Sequence, residues 1–339
     1  MELKFAIRAA LLGGMLAACG NAGGSGGGSA GASTADAGAR SSSAGRANGG
    51  SGTGAGLAGA TAAGAAGESG GNGGSLAGGG SGAGGGNAAG TGGGGGSAPA
   101  AGTTPLKGLA FNLSGSSCDD LPTLGVSWFY AWAANNPCAT VRAEFVPQIW
   151  GSYKDRPGVA TPATAVAKGA KFLLGFNEPD GADQANMTVA EAVALWPDFQ
   201  VPGVLVGSPA VAGQGSWLPE FMMQVSAKSL RVDFIALHWY GWDAGSCNDT
   251  TALEGKIKWA EQWQRPIWIT EWSCRLQSAD VDKKFLADAQ VMLAKHPLVE
   301  RYAWFLSRSS GEFVNAALLD ASGKPTAIGS EYASAPAFH

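Results

Sequence analysis

The sequence predicts an α/β fold: a single compact (β/α)8 barrel of the TIM type, placed after a long segment that has no core of its own. Three observations carry this expectation. From residue 107 onward, eight short apolar runs recur, each followed by a polar or helical stretch. Most of these runs are apolar on both faces, as parallel strands covered by helices are. The composition also changes near Pro105: Gly, Ala and Ser dominate the first third, whereas all 12 Trp of the 339 residues come later. The later part is roughly 230 residues, enough for one sizeable core.

Taken in chain order, Lys4 and Arg8 precede a short apolar stretch, AALLGGM at 9–15, which has the charged start and apolar centre of a secretory signal. It is too short to span a membrane as a helix. It ends Leu16-Ala17-Ala18-Cys19, which resembles the lipobox of bacterial lipoproteins. That resemblance implies cleavage before Cys19 and lipidation of its thiol. Gly20 follows where an aspartate would signal inner-membrane retention, so the expected place is the outer membrane, with the cell surface within reach. Residues 20–104 are Gly, Ala, Ser, Thr and Asn with almost no large apolar side chain. Such a segment cannot bury enough surface to offset its chain entropy. It is expected to be a disordered tether with a root-mean-square reach of roughly 50 Å for about 85 residues. Three parts follow: a signal at 1–19, a tether at 20–104 and a folded domain at 105–339.

The eight runs are LAFNL at 109–113, VSWFY at 126–130, FVPQIW at 145–150, FLLGF at 172–176, VLVG at 204–207, FIALH at 234–238, PIWIT at 266–270 and RYAWF at 301–305. Helical signals fill the gaps between the later ones. Thr188-Val189-Ala190-Glu191 reads as a capping box, and Ala192, Leu195, Trp196 and Phe199 continue with helical spacing. Leu218, Phe221, Met222 and Val225 share a face, as do Leu253, Ile257, Ala260 and Trp263, and then Phe285, Ala289, Met292 and Leu293. The first connections are short and weakly helical. Strands alternating with helices in this number predict the barrel over its competitor, a doubly wound open sheet, which has fewer strands and a glycine-rich first turn.

Charge and cysteines narrow the class. The net charge of −4, with no basic run after the N-terminus, argues against nucleic acid. With Cys19 set aside, Cys118, Cys138, Cys247 and Cys274 remain, an even number in an exported protein and thus two disulfides. The expected pairs are Cys118–Cys138 and Cys247–Cys274, because each brackets adjacent strands. None has C-x-x-C spacing, and with only His238, His296 and His339 no zinc site is expected. No organic cofactor is expected either, and the protein is expected to be a monomer that meets a membrane only through its lipid anchor.

In a (β/α)8 barrel the active site lies at the C-terminal ends of the strands. There the sequence sets Tyr130-Ala131-Trp132, Trp150, Asn177-Glu178, His238-Trp239-Tyr240, Glu271-Trp272 and Trp304-Phe305: a ring of aromatics around two glutamates. A lone glutamate after a strand is most often a solvated loop charge. Two of them, after strands four and seven, face each other across the barrel mouth. Paired carboxyls suit glycoside hydrolysis, one delivering a proton and the other attacking the anomeric carbon. Aromatic faces stack on sugar rings. Trp196, Trp259, Trp263 and Trp268 read instead as core or barrel exterior.

These stretches resemble the retaining glycoside hydrolases built on (β/α)8 barrels with glutamates on strands four and seven. The resemblance is strongest to glycoside hydrolase family 128, the endo-β-1,3-glucanases. It rests on SWFYAW at 127–132, FVPQIWG at 145–151, LGFNEPD at 174–180, GSPA at 207–210, DFIALHWYG at 233–241 and PIWITEW at 266–272. It implies Glu178 as acid/base and Glu271 as nucleophile. It implies Asn177 beside the sugar hydroxyl next to the anomeric carbon, with His238 and Tyr240 near the nucleophile. Trp128, Trp132, Trp150, Trp239 and Trp304 are then the candidate sugar platforms, and a β-glucan is the expected partner. A retaining hydrolase of another β-glycan, a non-catalytic glucan-binding surface lipoprotein and a structural lipoprotein are the competing readings.

Overall fold

The computed structural model describes residues 105–243, 245–275 and 277–336. The signal segment, Cys19 and the tether lie outside the described residues, as does His339. Strands and helices follow one another as β1 (Leu106–Ala110), α1 (Asp120–Thr123), β2 (Trp128–Tyr130), β3 (Glu144–Phe145), α2 (Pro162–Val166), β4 (Phe172–Leu173), α3 (Val189–Leu195), β5 (Leu205–Val206), α4 (Trp217–Ala227), β6 (Ile235–Gly241), α5 (Thr251–Ala260), β7 (Ile267–Cys274), α6 (Ala279–Leu293), β8 (Val299–Trp304) and α7 (Ala327–Ser334). Among the described residues no helix is long and apolar enough to cross a membrane.

Every apolar run overlaps a strand, though β1 begins before its run and β3 shares only Phe145 with its own, and β3, β4 and β5 are the short ones. Pro147 has no N–H to donate, so the third run leaves the ladder after Phe145. In the fourth run Gly175 passes so close to the next segment that a β-carbon there would lie 2.9 Å from the Gly207 carbonyl oxygen. The strands pair in parallel as one six-stranded sheet, β3-β2-β1-β8-β7-β6, and a separate pair, β4-β5. Isolated parallel bridges, Gln148↔Leu174 and Gly207↔Phe234, join the two sheets at either side. The fold is therefore α/β with parallel sheets, and the regular ladder does not close into a full ring.

Helix starts follow the sequence signals. Thr188 and Glu191 cap each other's backbone N–H groups at the head of α3, as the capping box requires. Both disulfides pair as expected, Cys118–Cys138 with Cα atoms 5.5 Å apart and Cys247–Cys274 at 6.3 Å.

Two of the buried basic residues, Arg301 and Lys107, each have a specific reason to be in the core. Arg301 on β8 lies 4.1 Å from the Trp268 ring centroid and 4.3 Å from that of Phe172, and pairs with Glu144 at 2.6 Å. Trp128 belongs to this cluster, its ring 5.3 Å from Trp268, and is fully buried. Lys107 on β1 donates to the carbonyls of Tyr332, Ala333 and Ala335, closing the C-terminal end of α7.

Candidate active site

Glu178 follows β4, and its backbone is held against preference. It adopts φ 40°, the left-handed region that L-residues avoid. Its N–H donates to Ala210 O at 2.7 Å and its C=O accepts from Gly181 N at 2.9 Å. Asp180, two residues on, accepts the N–H groups of Ala212 at 3.0 Å and Gly213 at 2.9 Å. The N-E-P-D stretch is thus a clamp that ties the end of β4 to the loop after β5 and aims one carboxyl. Asn177 Nδ2 donates to Gln184 Oε1 at 3.1 Å, while its Oδ1 is buried without a hydrogen-bond partner among the described residues.

Glu271 lies on β7, opposite His238 of β6. The register slips between Leu237 and His238, so Leu237 pairs with Ile269 but His238 pairs with Glu271. A bulge of this kind re-aims the side chains beyond it. Tyr130 Oη and Trp132 Nε1 each donate to Glu271 Oε1 at 2.8 Å, and Tyr240 Oη donates to Oε2. Trp132 reaches this position with φ 51°, another left-handed residue at the site. His238 stands between the carboxyls, with Nδ1 3.0 Å from Glu178 Oε1 and Nε2 3.3 Å from Glu271 Oε1. Oxygens of Glu178 and Glu271 and a ring nitrogen of His238 all lie within 4.8 Å of one another. The two carboxyls are 4% and 5% exposed.

Burial, and after it the negative charge of Glu271, pushes the Tyr130 and Tyr240 phenols well above their ordinary pKa, so both remain donors. At His238, burial works against the charged ring, but the carboxylates of Glu271 and Glu178 outweigh it and raise the pKa. Lys256 on α5 is lowered to about 8 by burial, against the pull of Asp180 and Glu178. The three residues Glu178, His238 and Glu271 are a donor set that a divalent cation would also accept. In this chain Glu271 already accepts from three fixed N–H and O–H donors, those of Tyr130, Trp132 and Tyr240.

The structure brings Asn177, Glu178, His238, Tyr240, Glu271 and Trp132 into one site. Trp150 is half-buried beside it, its carbonyl accepting the Asn177 N–H at 2.8 Å. Two expected platforms, Trp128 and Trp304, fall elsewhere. Trp128 is packed in the core on Trp268. Trp304 is fully buried, donating to Ala316 O at 2.8 Å with its ring edge-on to Trp272. Trp239 is different: it stacks on Phe285 of α6 at 5.2 Å, yet it is half-buried and lines the cavity beside Glu178 together with His238 and Tyr240. The faces of Trp128 and Trp304 are taken by protein, so a sugar has none to stack on. Sequence reasoning set Tyr130 and Phe305 in the strand-end ring without a role for either, and passed over Lys256, Trp242 and Phe313. Phe305 and Phe313 flank Tyr240, with centroids 5.4 and 5.6 Å from its ring.

The pattern of the family described as "Glycosyl hydrolase catalytic core" matches residues 108–332. Among curated proteins, the alkali-sensitive linkage protein 1 of Schizosaccharomyces pombe is 31% identical over 233 residues, which are 64% of this chain. The chain spans only 42% of the length of that relative. Among solved structures, a family 128 subgroup I endo-β-1,3-glucanase from Amycolatopsis mediterranei, in complex with laminaritriose, is 37% identical with a TM-score of 0.59. The match covers 68% of this chain and 99% of that one. The same enzyme has also been solved with either of two glutamates replaced. A subgroup II endo-β-1,3-glucanase from Sorangium cellulosum is 29% identical with a TM-score of 0.58, over 69% of this chain and 100% of that one.

Proposed function

Because the chain belongs to the glycosyl hydrolase catalytic core family, and within it to glycoside hydrolase family 128, we propose that it is a retaining endo-β-1,3-glucanase working by double displacement. The observation that carries the reading is the buried carboxyl pair, Glu178 and Glu271, with oxygens within 4.8 Å of one another. An inverting pair stands about 6.5–9.5 Å apart to admit a water, whereas a retaining pair stands at about 5–5.5 Å and attacks directly.

Glu271 is the nucleophile, its oxygens aimed by Tyr130, Trp132 and Tyr240. It attacks the anomeric carbon while Glu178 gives its proton to the departing glycosidic oxygen. A covalent glycosyl ester on Glu271 results. Glu178, now a base, takes a proton from the water that attacks the same carbon, and Glu271 leaves with the sugar's configuration retained. His238, in contact with both carboxyls, keeps them oriented as charge moves between them. Asn177, with an unused buried Oδ1, is suited to accept the hydroxyl next to the anomeric carbon. Neither step draws on a cofactor. Trp132, Trp150 and Trp239 are the remaining platforms of those expected from the sequence.

Two wider proposals accompany this reading. The strands form one (β/α)8 ring, an arrangement supported by the parallel bridges that span both gaps between the sheets. The domain is held at the bacterial outer membrane by a lipid on Cys19 and by the 20–104 tether. The lipobox supports this, and so do two disulfides, which suit an oxidising compartment. Fatty-acid labelling that survives Cys19→Ser would remove the anchor.

The functional test offers the protein a linear β-1,3-glucan, a mixed-linkage β-glucan, cellulose and mannan, and resolves products by length. A ladder of short oligosaccharides from the β-1,3-glucan alone, abolished in Glu271→Gln, is expected. Cleavage of another polymer keeps the pair and moves the substrate. Turnover surviving Glu271→Gln removes the nucleophile assignment.

A further inference from the structure

A cavity of ≈ 160 Å³ opens beside Glu178; His238, Trp239, Tyr240, Trp242 and Lys256 line it with that carboxyl, and Glu271 does not. Of the two carboxyls it is thus the proton donor that faces this space, with Tyr240 and His238 between the cavity and Glu271. Trp242, just past β6, is half-buried and is the aromatic of that lining with the most elaborate support. The Arg275 guanidinium sits 5.0 Å from its ring centroid. Arg275 is itself 5% exposed and is fixed by Glu312 at 2.5 Å and by its own N–H donating to Gly241 O at 3.0 Å. Tyr240 and Phe313 close around the indole at 5.2 and 6.2 Å. The buried Cys247–Cys274 disulfide ties the loop that carries Trp242 to the residue just before Arg275. Gln277 adds a third link, donating to Asp243 O at 3.1 Å.

We propose that Trp242, seated on Arg275 and locked by Cys247–Cys274, is the platform for the leaving-group sugar. Lys256 of the same cavity is held on the carbonyls of Ala212 and Gly213. The pocket thus joins an aromatic face to a fixed polar wall, the chemistry a neutral polyhydroxylated ring takes. The bond to be cut lies between Glu271, which takes one sugar, and Glu178, which protonates the oxygen of the other. The sugar beyond Glu178 is the one that departs. The inference rests on the hydrolase reading above and adds which residues hold the departing half. The indole must lie flat and still to serve, and an arginine, a disulfide and a glutamine spent on one loop supply that stillness.

The test compares two substrates with the whole protein. One is a linear β-1,3-linked glucohexaose, whose leaving group is sugar. The other is a 4-nitrophenyl β-1,3-glucotrioside, whose leaving group is not. Trp242→Ala is expected to lower kcat/KM on the hexasaccharide about ten-fold more than on the aryl trioside. Trp242→Phe should recover part of that difference, and Arg275→Gln should lie between the two. Reduction of the disulfide should move the same ratio in the same direction. Equal losses on both substrates, or no loss on the hexasaccharide, would overturn the proposal. If the unaltered protein cleaves neither substrate, the hydrolase reading fails. The platform is then read from calorimetric binding of the hexasaccharide to Glu271→Gln. Binding about ten-fold weaker with Trp242→Ala supports it, and equal binding overturns it.

Discussion

Asp282 is the buried group that the mechanism does not use. It lies in the first turn of α6, is 1% exposed, and neither carboxyl oxygen has a hydrogen-bond partner among the described residues. Burial pushes its pKa up to about 6 from the ordinary 3.8. The folded protein therefore holds this proton longer than the unfolded chain does. Stability is full below about 3.8 and is lost as pH rises to about 6, where the folded protein bears an ionised, unpaired carboxylate. Asp282→Asn keeps the shape and removes the charge, so it should raise stability at pH 7 by about 1–3 kcal/mol and little at pH 3.5. Urea unfolding at the two pH values checks this, and an equal effect at both would refute it. At this scale the sequence was legible where a residue sits in a motif, as Glu178 and Glu271 do. It was opaque where a side chain acts across the fold. Tyr130 reads as one more aromatic of the strand-end ring, yet its hydroxyl meets a carboxylate from β7. The face of a tryptophan also depends on register, which separates Trp132 at Glu271 from Trp128 in the core.

Elements were more legible than side chains, because periodicity is a property of many residues at once. All eight strands overlap the apolar runs, β1 and β3 only at one end, the later helices lie where apolar spacing puts them, and the first connections are as weakly helical as they read: α1 spans four residues and α2 five. What the pattern left out is local backbone geometry. The bulge that sets His238 against Glu271 has no composition of its own, and β3 to β5 are shorter than their apolar runs. Close approach of elements is similarly hidden. In α7 a β-carbon on Gly329 would lie 1.7 Å from the carbonyl oxygen of Leu318. That contact is backbone on one side, so the helix itself must move. Gly329→Ala should cost about 1–3 kcal/mol despite its better helix propensity. A melting curve unchanged from that of the parent protein would show that α7 can shift freely.

At the scale of the molecule, two disulfides close loops whose ends are 20 and 27 residues apart. By loop entropy each contributes about 3 kcal/mol, so reduction should lower the melting temperature by roughly 10 °C or more for a domain of this size. Both bonds lie toward the face that carries the carboxyl pair: Cys118 follows β1, Cys138 follows β2, Cys274 ends β7 and Cys247 follows β6. The opposite end is held without covalent help, by Arg301 among its aromatic rings. Reduction should thus reach the catalytic face before the remainder, and fluorescence of Trp132 and Trp242 should change ahead of far-ultraviolet circular dichroism. Simultaneous loss of the two signals would contradict that order.

The Lys107 contact also has a consequence in time. A ribosome makes residue 107 more than two hundred residues before it makes Tyr332, Ala333 and Ala335, at about 5–20 residues per second. For that interval, tens of seconds at the slower rate, the first strand carries an ammonium whose acceptors do not yet exist. Docking β1 into the sheet in the meantime would bury a charge with nothing to receive its protons. The nascent chain therefore has a reason to leave its opening strand in water until translation delivers the final helix.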